Sequence, residues 1–395
     1  MRHRVLMAAS VASMIDQFNL PNIRLLQELG CVVHVACNFK EGNTCSADRI
    51  RSLQGSFKEM QVMWHQWDCP RGPNSVLRCC RAYRQLLELT RQYTFAWIHC
   101  HSPIGGALAR MVAYRRGIRV IYTAHGFHFY RGAPLKNWLM YYPAEKLLSY
   151  GTDLLITVNH EDYRFARRRL GQKKACHIPG VGIDVEKFRS MGKEQKMMQR
   201  KYFCHKYRIP QGAIVLLSVG ELSRRKNHQL VLSVLAGLER EDVYYVICGR
   251  GAYRKKLIRQ AERLGISSHV RMIGFQEDMV RIYQSADVFV FPSLQEGMPA
   301  ALMEAMAAGL PCIVSDIRGS RELITEQGGS RFRLYPGWAG FVHTQLREQM
   351  VRLLERPQLW ERYGCYNREK MKSYDISVVN RKMKNIYEEF AEGNL

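Results

Sequence analysis

Long apolar runs are missing from this chain of 395 residues: no uncharged stretch reaches the about 18 residues that a membrane-spanning helix requires. No such helix is expected. A signal peptide is not expected either. Met1-Arg2-His3-Arg4 leads into a short apolar run over 5–9, with no longer apolar region and no small-residue cleavage site behind it. Acidic side chains are scarce, 35 against 59 lysines and arginines, which leaves a formal net charge of +24. Both halves of the chain carry the excess, so it is not one basic tail for nucleic acid. An anionic membrane, a phosphate-bearing substrate or nucleic acid would each suit that balance, as would a generally basic background. Paired cysteine spacings are absent as well: the twelve cysteines include no Cys-x-x-Cys. Cys31, Cys37, Cys248 and Cys312 sit in or beside apolar strand patterns and read as small buried hydrophobes in a reducing compartment. His99-Cys100-His101 is a poor metal cluster, because neighbouring strand residues point to opposite faces.

Hydrophobic residues make up 47% of the chain, which excludes a largely disordered protein, and its length suits two cores. Apolar runs of strand length alternate with helix-length amphipathic segments, the pattern of α/β parallel sheets wound with helices. In the first half, strands are expected at about 4–9, 32–37, 61–67, 95–100, 118–123 and 153–158. Helices are expected at about 18–29, 75–92, 104–115, 135–150 and 160–170. The stretch 178–188, with Pro179, Gly180 and Gly182, reads as the crossing into a second domain. There a basic helix over about 193–208 precedes strands at about 213–219, 243–248, 270–273, 287–291 and 311–315. Helices at about 342–355, 358–371 and 376–391 close the chain. Open sheets of this kind bind ligands beyond the carboxyl ends of their strands, so the residues just past those ends are the informative ones.

One such end dominates. Residues 291–315 read as a strand end, a tight loop, a short helix and a second strand. Glu296 sits in the loop, Gly297 and Pro299 bend it, and Glu304 falls about one turn into the helix. Ala300, Ala301, Ala305, Ala307 and Ala308 let that helix pack close to a sheet, while its amino end can face an anion such as phosphate. Two carboxylates so placed suit the hydroxyls of a sugar and a ribose. The plainer reading is an ordinary βαβ turn with two solvated acids.

The whole run decides between them. Glu296-Gly297-x-Pro299, Glu304-Ala305-Met306-Ala307-x-Gly309-x-Pro311, Ser315 and the turn from Arg318 to Glu322 together resemble the signature of the family-4 retaining glycosyltransferases. Further phrases are similar to the bacterial capsular and exopolysaccharide branch, among them His125-Gly126-Phe127-His128, Asn137-Trp138-Leu139 and Ile178-Pro179-Gly180-Val181-Gly182-Ile183-Asp184. The resemblance covers nearly the whole chain. It implies the glycosyltransferase-B fold: two Rossmann-like doubly wound domains facing a cleft, with 1–185 on the acceptor side and 186–375 on the donor side. The helix over 376–391 would return to the first domain. It also implies a nucleotide-sugar donor, UDP before GDP, a glycan acceptor on polyprenyl diphosphate, and work at the inner face of the cytoplasmic membrane. Nucleic acid is not an expected partner.

Carried over residue by residue, the resemblance makes His125, Lys226 and Glu296 the catalytic candidates. Glu296 would hold sugar hydroxyls, Glu304 the ribose, and Lys226 with Arg225 or Arg224 the diphosphate. Gly220, Gly249, Phe275, Gly297, Met298, Pro299 and Ala300 would complete the donor side, with Phe275 either near the base or in the core. Asp278 reads as a helix-start acid. Ser10, His101 and His128 are the acceptor-side candidates, and His128 could share the role of His125. Three departures stand out. Glu221 replaces the family's phosphate-assisting arginine, no glycine-rich loop follows the first strand, and 331–338 lacks the usual strand and acidic turn. No Asp-x-Asp occurs, so activity without a divalent ion or other cofactor is expected.

Two surface features stay open. The aromatic and basic segment 127–142 suits either a membrane interface or a helix packed on the core. The basic run over 164–174, with Arg164, Arg167, Arg168, Arg169, Lys173 and Lys174, is partly solvated on any helix and could meet anionic lipid. Two rival functions remain: a nucleotide-sugar 2-epimerase of the same fold, and a basic membrane- or nucleic-acid-binding protein without chemistry.

Overall fold

The computed structural model describes residues 3–72, 75–171, 174–189, 192–335 and 337–395. Met1 and Arg2 at the start, Lys173 of the basic run and Pro336 of the segment 331–338 lie outside the described residues. The chain divides into two compact units, Met1–Val181 with Val378–Leu395, and Gly182–Ser377. Each is an α/β, Rossmann-like unit around one parallel sheet.

The strands of the first unit are β1 (Arg4–Val11), β2 (Val32–Asn38), β3 (Met63–Gln66), β4 (Trp97–His101), β5 (Arg119–Ala124), β6 (Leu154–Thr157) and β7 (Ala175–His177). They run in the order β3-β2-β1-β4-β5-β6-β7, every pair parallel. Central strands such as β1 are buried on both faces, which is why they read as unbroken apolar runs. The helices are α1 (Ala12–Phe18), α2 (Leu20–Glu28), α3 (Ala47–Glu59), α4 (Val76–Gln92), α5 (Pro103–Arg116), α6 (Leu135–Ser149) and α7 (His160–Phe165).

Five details differ from the sequence expectation, the unanticipated strand β7 among them. The helix expected over 18–29 is α2, and an unanticipated helix α1 precedes it, the two parted at Asn19, whose side-chain amide donates to the Met14 carbonyl. No loop follows β1, because Val11 passes straight into α1. Helix α3 was not anticipated, although Ser46 caps it by accepting from the Arg49 N–H and Asp48 sits in its first turn. Helix α7 runs into a π-helical turn over Ala166–Leu170 rather than continuing as one α-helix.

The ambiguous segment 127–142 splits its residues between two faces. Phe127 and Phe129 are buried, and Trp138, Tyr141 and Tyr142 pack against the same core. The aromatics therefore belong to the core reading. The other face of α6 exposes Leu135, Leu139 and Leu147, each at 70% or more. An internal ion pair fastens the helix: fully buried Arg110 of α5 donates to both oxygens of Glu145 at 2.9 and 3.1 Å and stacks over the Tyr122 ring.

The second unit contains β8 (Ile214–Val219), β9 (Val243–Cys248), β10 (Val270–Gly274), β11 (Val288–Phe291), β12 (Cys312–Ser315) and β13 (Gly329–Phe332). Their order is β10-β9-β8-β11-β12-β13, again all parallel. The helices are α8 (Val185–Phe188), α9 (Lys193–Lys206), α10 (His228–Ala236), α11 (Arg254–Arg263), α12 (Met279–Gln284), α13 (Ala300–Ala307), α14 (Arg318–Leu323), α15 (Ala339–Leu354) and α16 (Gln358–Met371). Strand β13 was missed because it opens on Gly329, where a Cβ would lie 2.0 Å from the Cys312 carbonyl oxygen. Close strand approach, not an apolar pattern, fixes that residue.

The last helix, α17 (Ile376–Ala391), packs with the first unit from Val378 onward. Tyr387 meets His99, and the Phe390 ring packs against Trp97 and under Arg119. Cys31, Cys37, Cys248 and Cys312 are buried and unbridged. Burial pushes the Cys248 thiol up to about 11.

Candidate active site

Both sheets reverse their winding once, between β1 and β4 in the first unit and between β8 and β11 in the second. A crevice opens at the carboxyl ends of strands at such a reversal. In the second unit the loop after β8 carries Gly220 to Lys226, and the loop after β11 carries Glu296 to Pro299. The fold thus brings together two motifs seventy residues apart in sequence.

Their meeting point is an ion cluster. Lys226 Nζ lies 2.7 Å from Glu296 Oε1, and Arg225 donates to the same oxygen at 2.7 Å. Arg225 also donates to the Gln295 carbonyl, while the Leu294 N–H donates to the Arg225 carbonyl. Burial disfavours the Glu296 charge, but Lys226 and then Arg225 outweigh it and hold the carboxyl below its ordinary range. The ammonium of Lys226 stands 4.7 Å from the centre of the Phe291 ring. Glu221, the unexpected acid, lies 4.0 Å from Arg225. Arg225 rather than Arg224 therefore reaches the cluster, steadied between Glu221 and Glu296.

The loops are shaped so that these side chains converge. A Cβ at Gly220 would stand 3.0 Å from Lys226 Cε, and one at Gly249 would overlap the Gly220 carbonyl at 1.9 Å. Both glycines have positive φ, 153° and 150°. Asn227, just past Lys226, adopts the left-handed conformation that asparagine tolerates. Behind it His228 bonds the Tyr245 hydroxyl, which donates to Ser218 at the end of β8. Burial and the neighbouring Lys226 depress His228 to about 4, so it stays neutral beneath the cation.

The remaining members of the motif brace the loop. Arg318, buried, donates from Nε to the Glu296 carbonyl at 3.2 Å. A Cβ at Gly319 would come within 2.3 Å of the Gly297 carbonyl, and Ser315 donates to the Ser293 carbonyl. Met298 packs on the core, and Pro299 precedes the first turn of α13 at Ala300. Glu304 points from α13 to Tyr283, whose hydroxyl donates to Oε2 at 2.9 Å. Burial raises the Glu304 carboxyl, partly offset by that hydrogen bond. Phe275 is 57% exposed rather than in the core, with the Arg250 guanidinium 5.3 Å from its ring centre. Asp278 caps α12 by accepting from the Arg281 N–H.

In the first unit the strand ends hold a row of imidazoles. His99 is bonded on both sides, by Tyr387 and Thr123, at 2.8 Å each. The His101 ring lies 4.3 Å from it, tilted by 43°, and shares a hydrogen bond with His125, Nδ1 to Nε2 at 3.2 Å. Burial lowers His99 to about 3 and His125 to about 4, and pushes His101 well below its usual value. All three are neutral, so one nitrogen of the His101–His125 pair donates and the other accepts. The other His125 nitrogen, Nδ1, is then left in the complementary role, donor or acceptor. Phe18 of α1 approaches the His125 ring at 6.2 Å. His128 stacks on Tyr141 instead, 4.5 Å away. Ser10 is buried, its hydroxyl accepting from the Gly105 N–H and bonded to Ser102, so it knits β1 to α5.

Sequence reasoning had not found Tyr283, the reach of Arg318 to the Glu296 carbonyl or the coupling of His101 to His125. Each acts across 21 to 24 residues through a contact that only the fold creates.

Residues 200–370 match the family model "Glycosyl transferases group 1", and residues 20–179 match "Glycosyl transferase 4-like domain". EpsD of Bacillus subtilis strain 168, which bears the name of a glycosyltransferase, is 33% identical over 99% of this chain and 98% of its own length. The UDP-Gal:alpha-D-GlcNAc-diphosphoundecaprenol alpha-1,3-galactosyltransferase of Escherichia coli is 28% identical over 64% of this chain and 66% of its own. Among solved structures, Anabaena Alr3699/HepE in complex with UDP superposes with a TM-score of 0.73 at 15% identity, covering 98% of this chain and all of that one. That likeness concerns the fold, the glycosyltransferase-B architecture.

Proposed function

The chain belongs to the group 1 glycosyltransferases and is a sugar-transferring enzyme, and on that premise we propose how it works. It moves a sugar from a UDP-sugar, with retention at the anomeric carbon and without a divalent ion, to a glycan on polyprenyl diphosphate. It does so as a peripheral protein at the inner face of the cytoplasmic membrane.

The observation that carries the donor half is the ion cluster of Lys226, Arg225 and Glu296 at the reversal of the second sheet. A donor diphosphate would take the two cations from Glu296 and set that carboxylate free for the hydroxyls of the sugar. As the sugar–phosphate bond breaks, charge builds on the leaving diphosphate. Lys226, Arg225 and the positive amino end of α13, whose cap Pro299 offers no side-chain hydrogen bond, stabilise it without a metal. Tyr283 holds one oxygen of Glu304 and leaves the other for the ribose. The Phe275 ring, exposed beside Arg250, offers a flat surface to the base. His125, fixed by His101, orients sugar or phosphate from Nδ1. No residue is assigned as a dedicated base; the leaving phosphate takes the acceptor proton.

UDP is favoured because the relative from Escherichia coli carries UDP-Gal in its name and the Anabaena structure holds UDP. The same relative's name specifies a diphosphoundecaprenol acceptor. Among the described residues no helix is long and apolar enough to cross a membrane. The exposed leucines of α6 supply a different contact. Leu135, Leu139 and Leu147 recur at helical spacing, and the one acid of α6, Glu145, is turned inward to Arg110. Lys136 and Lys146 add positive charge to that helix, which suits an anionic bilayer surface.

The test is a screen of UDP- and GDP-sugars against membrane-extracted acceptor lipids, scored for glycosylated lipid. Transfer from a UDP-sugar is the expected result. Nucleotide-sugar hydrolysis or epimerisation with no lipid product would overturn the proposal.

A further inference from the structure

A pocket of about 430 Å³ in the first unit, formed by the segments after β5 and β6, has no part in the mechanism above. Its floor is aromatic: Phe129, Trp138 and Phe165 lie with ring centres 5.4 to 5.8 Å apart. Its rim is cationic, made by Arg131, Arg164, Arg168 and Arg169. Two acids also line it, Glu161 and Asp162. Asp162 is already engaged, accepting from the Phe127 N–H and the Asn159 amide. Among the described residues none of the four guanidiniums has a carboxylate partner. That contrasts with Arg110, Arg225 and Arg200, each held by an acid in its own unit.

The backbone explains why the arginines gather. The π-helical turn over Ala166–Leu170 widens the helix, so residues five apart lie nearer one side than they would on an α-helix. Arg164, Arg168 and Arg169 consequently face one pocket, while Arg167 turns away to the Tyr163 ring. Such turns are uncommon and concentrate at functional positions. Lys146 of α6 fastens this one by donating to the carbonyls of Arg169 and Leu170. The π-helical turn is thereby tied to α6, the helix that also carries the exposed leucines and that gives Trp138 to the pocket floor.

An apolar floor beneath unpaired guanidiniums fits an amphiphile with phosphate at one end. Arginine forks hold phosphate oxygens in pairs, and aromatic faces take a branched hydrocarbon chain. We propose that this pocket binds the diphosphate and the first apolar segment of the prenyl carrier on which the acceptor glycan is built. This rests on the acceptor half of the function proposed above. The carrier would enter from the bilayer beside α6, with its diphosphate stopped at the arginines.

The experiment uses the full-length protein and two vesicle types of equal surface charge. One is phosphatidylcholine doped with a polyprenyl diphosphate, the other phosphatidylcholine doped with phosphatidylglycerol. The variant is R164K/R168K/R169K, which keeps every charge and removes the paired guanidinium donors. The expected result is about tenfold weaker binding to the polyprenyl diphosphate vesicles, with phosphatidylglycerol binding changed by less than about twofold. Equal losses on both vesicles would reduce the site to a general anionic-lipid patch and overturn the proposal, as would no loss on either. Titration of a fifteen-carbon prenyl diphosphate and of inorganic diphosphate, without membrane, reads the aromatic floor. Trp138→Leu should weaken the first at least fivefold and leave the second unchanged; equal effects contradict the proposal. UDP binding is measured alongside. A variant that binds UDP as wild type does is folded in its second unit. If wild type binds prenyl diphosphate but no UDP, the pocket stands and the donor reading fails.

Discussion

In the ligand-free protein Glu296 is the counter-ion of both Lys226 and Arg225, so Glu296→Gln removes one charge and releases two. Stability and ligand affinity should then move in opposite directions. Lys226 and Glu296 are each 11% exposed, and their 2.7 Å contact is worth about 6 kcal/mol at an effective dielectric of about 20, before desolvation is subtracted. Stranding one partner of such a pair costs about 3–5 kcal/mol. Arg225 is 42% exposed and adds little. Because glutamine still accepts a hydrogen bond, the lower end is expected, about 3 kcal/mol. For a unit of this size that lowers Tm by about 6–12 °C. UDP, in contrast, no longer has to displace an internal carboxylate, so its Kd should fall about tenfold, equivalent to about 1.4 kcal/mol. UDP at 100 times its Kd should return about 2.7 kcal/mol of the lost stability. Turnover should drop, since Glu296 is assigned to the sugar hydroxyls. Calorimetric titration of UDP, with melting curves in its presence and absence, reads all the binding terms. Weaker or unchanged UDP binding in a folded Glu296→Gln protein would refute the counter-ion argument.

Three further outcomes follow from the geometry. Burial raises the Glu304 carboxyl, so its contribution to stability is present in acid and lost as pH climbs through the raised value. Glu304→Gln should therefore melt higher than wild type at pH 7, with the gain gone below about pH 4, while binding UDP more weakly; a gain that persists in acid would contradict the sign. Glu145→Gln strands the buried Arg110 and should cost about 3 kcal/mol or more by chemical denaturation; a loss below about 1 kcal/mol would mean that the pair does not fasten α6. Replacing Leu139 and Leu147 by Asp touches only exposed positions. Flotation with anionic vesicles should be abolished with no change in Tm, and retained flotation would remove α6 from the membrane contact.

The second unit's site was the more legible half, for a physical reason. Its loop and helix need glycine, proline and alanine at fixed places, because Gly319 abuts the Gly297 carbonyl and α13 is buried along one side. Steric demands of that kind leave a mark in the sequence. Through-space partners leave none: Tyr283 reaches Glu304 from α12, and Arg318 reaches back to the Glu296 carbonyl. Glu221 was visible as a departure, but its pairing with Arg225 needed coordinates. In the first unit the missed helix α3 had a readable cap at Ser46, whereas the break at Asn19 depends on a side-chain bond to Met14. Segment 127–142 resisted assignment because its two apolar faces go different ways, aromatics inward and leucines outward. The basic run looked like a scattered solvated surface under α-helical spacing, and the π-helical turn is what gathers three of its arginines.

Metal-independent transfer with retention from a UDP-sugar is read from the anomeric configuration of the product, by proton NMR after reaction with an α-linked UDP-sugar in excess EDTA. An α-linked glycolipid formed at the same rate with and without the chelator is the expected result. A β-linked product, or transfer that stops in EDTA and returns with Mg²⁺ or Mn²⁺, would contradict it.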